Sequence, residues 1–253
     1  MKHLLTILLF VSPLPLAAGF LTSDVVVLGE IHDNPHHHAR QAELIAEIAP
    51  TAVVFEMLRP EEAELIDDTP RVEENMRVQA GEAEWSNMLD YLDVLLASPK
   101  IIGAALPRED VRRAFSESAA AVFGPDAQAY GLADAVAPDQ LEIRKELQFM
   151  SHCEAMPLEM MGGMVEAQRL RDAAFARTVL EALNEFGAPV VLITGNGHAR
   201  TDWGVPAFLE AARPEVSVHA LGQGETGASL SAPFDAVEVW PTIERPDPCE
   251  AFK

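Results

Sequence analysis

The stretch Asp24-Val25-Val26-Val27-Leu28-Gly29-Glu30-Ile31-His32-Asp33-Asn34-Pro35-His36-His37-His38 decides how the rest of the chain is read. Val25 to Leu28 is apolar and β-branched with no polar alternation, the pattern of a strand buried on both faces of a parallel sheet. Asn34 as N-cap and Pro35 at the first helical position predict a helix from about Pro35 to Ile48. Glu30, His32 and Asp33 therefore fall between a strand and a helix. In open α/β sheets ligands bind beyond the carboxyl ends of the strands, so this turn is the first candidate for a site.

Working outward, Thr51–Met57 is a second apolar strand, Ile101–Leu106 a third and Pro189–Thr194 a fourth, with Val216–Leu221 and Ala236–Trp240 as two shorter ones. Arg59 to Glu84 is acidic and reads as helix or loop standing off the sheet. Trp85, Met88, Leu89, Leu92, Leu95 and Leu96 recur at helical spacing and make one apolar face. Roughly 110–185 offers helical patterns and no strand, more than one crossover helix needs, which predicts a helical lobe inserted between strands. Pro157 opens a Met-rich helical stretch there (Met156, Met160, Met161, Met164), with an interruption expected at Gly162-Gly163. The fold class expected is α/β: a mostly parallel sheet flanked by helices, with an inserted helical subdomain, in one domain spanning 20–253.

The chain has 253 residues, 40 acidic and 18 basic, for a formal net charge of −22. That balance argues against nucleic acid or an anionic membrane as partner. Met1–Gly19 reads as a signal peptide, with Lys2, an apolar Leu4–Val11 and a small-residue zone at Leu16–Gly19. Export to a bacterial periplasm is the expectation. No cysteine follows that zone, so no lipid anchor is expected. Two cysteines are present, Cys153 and Cys249; they are either one disulfide holding the C-terminal tail or two structural thiols.

Two turns share a form: Gly29-Glu30-Ile31-His32 after one strand and Gly195-Asn196-Gly197-His198 after another. If those strands are neighbours, His32 and His198 converge, with Glu30 and Glu56 beside them. Two imidazoles and two carboxylates suit either a divalent metal or general acid/base work. Of the three consecutive histidines only some can face inward, since helical neighbours point about 100° apart; His38 is the candidate, and the metal set reads His32, His198, Glu30 and His38. Arg108 could pair with Glu56 or receive an anionic group such as a propionate. Tyr91 and Tyr130 are the only tyrosines. Met150 to Met164 reads as core filler or as the lining of an apolar cofactor pocket. G-x-S-x-G, H-E-x-x-H and Walker A patterns are absent, and Arg200 breaks the dinucleotide fingerprint that Gly195-Asn196-Gly197 begins.

Leu28-Gly29-Glu30-Ile31-His32-Asp33-Asn34-Pro35-x-His37-His38, Phe55-Glu56-Met57, Leu106-Pro107-Arg108, His152-Cys153 and Gly195-Asn196-Gly197-His198 with Gly204-Val205-Pro206 resemble the ChaN-like haem-binding uptake family of the Tiki/erythromycin-esterase superfamily. The match runs in order from about Asp24 to Leu221. It implies a parallel α/β core with a helical subdomain, haem as cofactor, a homodimer with haem at its interface, and a place in bacterial iron acquisition beside an outer-membrane haem receptor system. The cofactor-binding candidates are Tyr91, Tyr130, Arg108 and Met164. Superfamily relatives include metal-dependent proteases and esterase-like enzymes. That implies a second reading, a metal-dependent hydrolase in which Glu30, His32, Glu56 and His198 are catalytic.

Overall fold

In the computed structural model, which describes residues 19–230, 232–247 and 249–250, Val25–Leu28 lies at the centre of the molecule. The signal-peptide reading falls on residues outside those described, apart from Gly19. The strand β1 (Val25–Glu30) is buried at every position. The chain continues through α1 (Pro35–Ile48), β2 (Ala52–Phe55), α2 (Pro60–Asp67), α3 (Glu73–Gly81), α4 (Leu92–Ala97), β3 (Ile101–Gly103), α5 (Arg108–Ser116), α6 (Ala119–Phe123), α7 (Pro138–Ser151), α8 (Met161–Phe186), β4 (Val190–Gly195), α9 (Asn196–Ala199), α10 (Val205–Ala212), β5 (Val218–Glu225) and β6 (Ala236–Trp240). The strands form one sheet in the order β3-β2-β4-β1-β5-β6, and every pairing in it is parallel.

Residue alternation explains why both faces of the sheet are covered. Val25, Val27, Val54 and Leu192 point into one core, where α8 supplies Leu170, Ala173, Phe175 and Val179. Val26, Leu28, Val53, Phe55 and Ile193 point into the other, closed by Leu44, Ile45 and Ile48 of α1 and Leu95 of α4. Asn34 caps α1 as the sequence predicts, its side chain accepting from the His36 amide at 3.0 Å.

Three expectations are corrected. β5 runs on to Glu225 rather than ending at Leu221. Its polar Gln223 is tolerated in the interior because Gln41 and Asn196 satisfy it. The third strand stops at Gly103, since Ala104 and Ala105 donate instead to the carbonyls of Phe55 and Leu58 at 3.0 and 2.9 Å. α8 runs unbroken through Gly162-Gly163. The reason for a glycine there is close packing: a Cβ on Gly163 would stand 2.7 Å from the Phe115 carbonyl oxygen of α5. Gly163→Ala should therefore lose stability on chemical denaturation, because an overpacking cost of about 1–3 kcal/mol against backbone outweighs a helix-propensity gain of at most about 1 kcal/mol.

Cys153, just past α7, is disulfide-bonded to Cys249 with Cα atoms 5.3 Å apart. The C-terminal tail thus crosses the carboxyl end of the sheet. On the way Arg245 bridges Asp33 at 2.8 and 2.9 Å and Glu225 at 2.8 and 2.6 Å. Asn34 holds the same tail by donating to the Pro241 carbonyl at 3.1 Å. Among the described residues no helix is long and apolar enough to cross a membrane.

Candidate functional site

The strand order sets the site. β1 and β4 are neighbours, yet the chain leaves β1 toward β2 on one side and leaves β4 toward β5 on the other. Such a reversal opens a crevice at the carboxyl ends of the two strands. Glu30 ends β1, Glu56 follows β2, and His198 sits in α9 directly after β4. His32, His38 and Tyr91 join them.

Glu30 is the hub. One oxygen accepts from the Tyr91 hydroxyl at 2.5 Å and from His32 Nδ1 at 2.8 Å. The other accepts from Gln41 Nε2 at 2.8 Å and stands 3.4 Å from His38 Nε2. Burial alone would raise this carboxyl, but the His32 and His38 imidazoles reverse that and hold it at about 2. His38 is buried as predicted and lies against Tyr91, ring centroids 4.0 Å apart. His37 is buried too, which the sequence reading missed. Its Nδ1 accepts from the Ile31 amide at 3.0 Å, leaving Nε2 to donate to the Gly224 carbonyl at 3.3 Å. A ring so used is neutral, and burial pushes its pKa down.

Glu56 stands between two imidazoles, 3.9 Å from His32 Nε2 and 3.5 Å from His198 Nε2. Its outer oxygen is fixed by the Thr194 hydroxyl at 2.5 Å and the Gly195 amide at 2.8 Å. Glycine at 195 eases this approach, since a Cβ would stand 3.0 Å from His32 Nε2 and the ring would have to shift by a few tenths of an ångström. His198 donates from Nδ1 to Asp172 of α8 at 2.5 Å. Burial opposes a charge on that ring, but Glu56 and Asp172 overcome it and push the imidazole up to about 9. His32 is raised in the same way by Glu30 and Glu56 against the cost of burial. Asp172 was invisible to motif reading; the available signal is an acid set among the alanines and Phe175 of an otherwise apolar helix stripe.

The remaining candidates lie elsewhere. Arg108 is 84% exposed and pairs with Glu84 at 2.9 Å, not with Glu56. It lines a cleft of about 470 Å³ with Met57, Arg59, Trp85 and Leu106. Tyr130 packs edge-on to Phe123 at 5.0 Å. Met164 is half-buried on α8.

Of the expected metal set, His32, His198, Glu30 and His38 stand in one cluster at the strand ends, with Glu56 between His32 and His198. Among the described residues no three His, Cys, Asp or Glu side chains are placed to hold an ion. Glu30 spends both oxygens on Tyr91, His32, Gln41 and His38, and each of His32 and His198 gives Nδ1 to a carboxylate. The cluster is a network of hydrogen bonds and ion pairs in which both His38 ring nitrogens and Asp172 Oδ2 are buried without a hydrogen-bond partner among the described residues, and in which His32 and His198 turn Nε2 toward Glu56.

A second surface stands out on the lobe. α7 has no buried residue, although it carries Ile143, Leu147 and Met150 at i, i+4 and i+7. These are 50%, 37% and 64% exposed, so an apolar stripe faces outward. His152 caps the helix, its Nδ1 bonded to the Gln148 carbonyl at 2.8 Å; among the described residues its Nε2 makes no hydrogen bond.

The family model described as haem-binding uptake, Tiki superfamily, ChaN matches residues 16–209. The chain belongs to this family. Its fold is similar to that of ChaN from Campylobacter jejuni, whose structure is described as showing cofacial haem binding; the two share 20% identity over 86% of this chain and 87% of that one, with a TM-score of 0.58. More distant structures include the type III effector HopBA1, 14% identical over 86% of this chain and 88% of that one with a TM-score of 0.43. A succinoglycan biosynthesis protein is 13% identical over 82% and 67% of the two chains, with a TM-score of 0.42. No curated protein matches the chain. These findings do not favour the metal-dependent hydrolase.

Proposed function

We propose that this chain binds haem on the helical lobe rather than in the polar network at the strand ends. The observation that carries this reading is α7, a 14-residue helix that presents an apolar stripe to solvent within a family described by haem binding. A porphyrin needs a flat apolar surface, a donor for its iron, and cations for its propionates. The Ile143–Leu147–Met150 stripe fits the first need. His152 fits the second, because a ring with Nδ1 tied to a carbonyl has a fixed tautomer that leaves the Nε2 lone pair for the iron. The strand-end cluster fits poorly: it is acidic, and Tyr91 is fully buried with its hydroxyl committed to Glu30. Haem, when bound, supplies the iron and all redox chemistry; the residues of α7 seat it and keep its face from water.

Export and a role in bacterial haem and iron uptake are the setting proposed, supported by the leader pattern of Met1–Gly19 and by the family description. A second copy of the chain would cover what α7 leaves exposed, and an outer-membrane haem receptor system is the proposed source of the cargo.

The test is a visible-spectrum haem titration of the mature protein. Wild type is expected to give a saturable Soret shift. Leu147→Glu should abolish it, and His152→Ala should move the Soret position and weaken binding by at least the roughly 10-fold that loss of even an outer-shell partner of a metal ligand costs. A shift that survives both changes would remove the lobe as the site; no shift in wild type would remove haem.

A further inference from the structure

Beside the stripe, α7 turns a different set of residues inward. Arg144, Gln148, Gln168, Val165, Arg200 and Trp203 line a cavity of about 140 Å³ that reaches the Gly197 backbone next to His198. A cavity of that size is comparable to one of about 150 Å³ that holds a benzene ring, so it has room for a carboxylate with a short stem.

The charges around it do not cancel. Arg200 is committed to Asp202 at 2.5 and 2.7 Å, Arg169 to Glu166 at 2.8 Å, and His198 to Asp172 at 2.5 Å. Arg144 alone in this group makes no hydrogen bond or ion pair among the described residues, and its Nε is buried without a partner. What holds it is Trp203, whose ring lies 4.9 Å from the Arg144 guanidinium and 3.4 Å from that of Arg200. A cation–π contact holds a guanidinium near the ring without using its N–H donors, which stay available to a carboxylate. Burial, with Arg169 and Arg200 nearby, pulls the Arg144 pKa down to about 10 although Asp172 and Asp202 favour its charge. In a chain of net charge −22, an arginine left in this state lacks its counterion.

We infer that this cavity is a carboxylate-binding site in which the donors of Arg144, held beside Trp203, receive the anion. Gln148 and Gln168 line the same cavity, but they bond to each other and Gln168 also donates to the Gly197 carbonyl. That leaves Arg144 as the one strong donor. Two sources share this chemistry. Leu147 belongs both to the exposed stripe and to the cavity wall, so a haem resting on α7 would bring a propionate to the opening; this source rests on the proposed haem reading. A small free carboxylic acid is the other.

The experiment has two arms, each run on wild type, Arg144→Gln and Arg144→Lys; Arg144 makes no hydrogen bond, so its replacement leaves the fold standing. In the first arm haem and its dimethyl ester are titrated by Soret absorbance. Wild type should prefer the free acid by roughly tenfold or more, as a hydrogen bond to a charged group implies. Arg144→Gln should bind both alike, and Arg144→Lys should fall between. In the second arm acetate and succinate are titrated by calorimetry and Trp fluorescence. Arg144-dependent saturation there supports a free acid as occupant, and it can be seen even if haem does not bind at all. Equal binding of haem and ester to wild type, together with no Arg144-dependent carboxylate signal, overturns the inference while leaving haem binding intact.

Discussion

Replacing Glu30 by alanine is expected to remove about 3–5 kcal/mol of folding stability, the cost of breaking a buried ionic network from one side. The carboxylate is fully buried and is the shared acceptor for Tyr91, His32 and Gln41, with His38 at ion-pair distance. Its loss strands several donors at a buried position, and unpaired buried polar groups cost more than the bonds themselves contribute. Tyr91→Phe should cost less, about 1–3 kcal/mol, because only one acceptor position on Glu30 is vacated. Glu30→Gln should fall between, since an amide keeps one acceptor and gains donors that face His32 and Tyr91. Urea denaturation at pH 7 reads all three as midpoint shifts. A Glu30→Ala midpoint within error of wild type would mean that the hub is not structural.

Why the sequence revealed some of this and not the rest follows from range. The valine run at Val25 and the Asn34-Pro35 cap are local signals, and each forms the element it predicts; the two expected turns differ, since Gly29-Glu30 completes β1 and Asn196–Ala199 forms the short helix α9. The convergence of Glu30, Glu56 and the two histidines needed the strand order, which the sequence leaves as a condition and the β1–β4 pairing meets. Asp172 and Gln41 were not legible, because each joins the cluster from a helix whose rotation is set by tertiary packing. Glycine misled for the same reason: at Gly163 it marks helix-to-helix contact with Phe115, not a break. His37 and His38 show the limit of a helical-wheel argument. The wheel says that three consecutive residues cannot all face one site, yet two of them are buried here because one points to Gly224 and the other to Tyr91. Arg144 carried no sequence signal at all; its lack of a partner appears only once every neighbouring charge is paired.

The same network predicts a stability plateau that falls away on both sides. Glu30 has its carboxyl depressed from 4.5 to about 2 in the folded state. A depressed group contributes in full above its unfolded value and loses that contribution as pH falls through the folded one, here from about 4.5 down to about 2. His198 is raised from 6.5 to about 9, so its contribution is complete below 6.5 and is lost as pH climbs through about 9. Each shift corresponds to something on the order of 3 kcal/mol at most. Asp172 works against the acid limb, because burial raises its carboxyl and its ionisation costs stability there. For Glu30 and His198 the expected profile is a maximum between about pH 4.5 and 6.5; the alkaline decline is owed first to His198 with His32, also raised, adding to it, and His37, held down by burial, moves the maximum toward the upper end of that window. Urea midpoints measured from pH 3 to pH 10 on wild type and His198→Gln separate the limbs. The variant should start lower at pH 5.5 yet lose less than wild type by pH 9, whereas the Glu30-dependent fall in acid should remain. An alkaline decline undiminished in His198→Gln would assign it to other groups and would sink the view that Glu56 and Asp172 share a protonated imidazole at the end of β4.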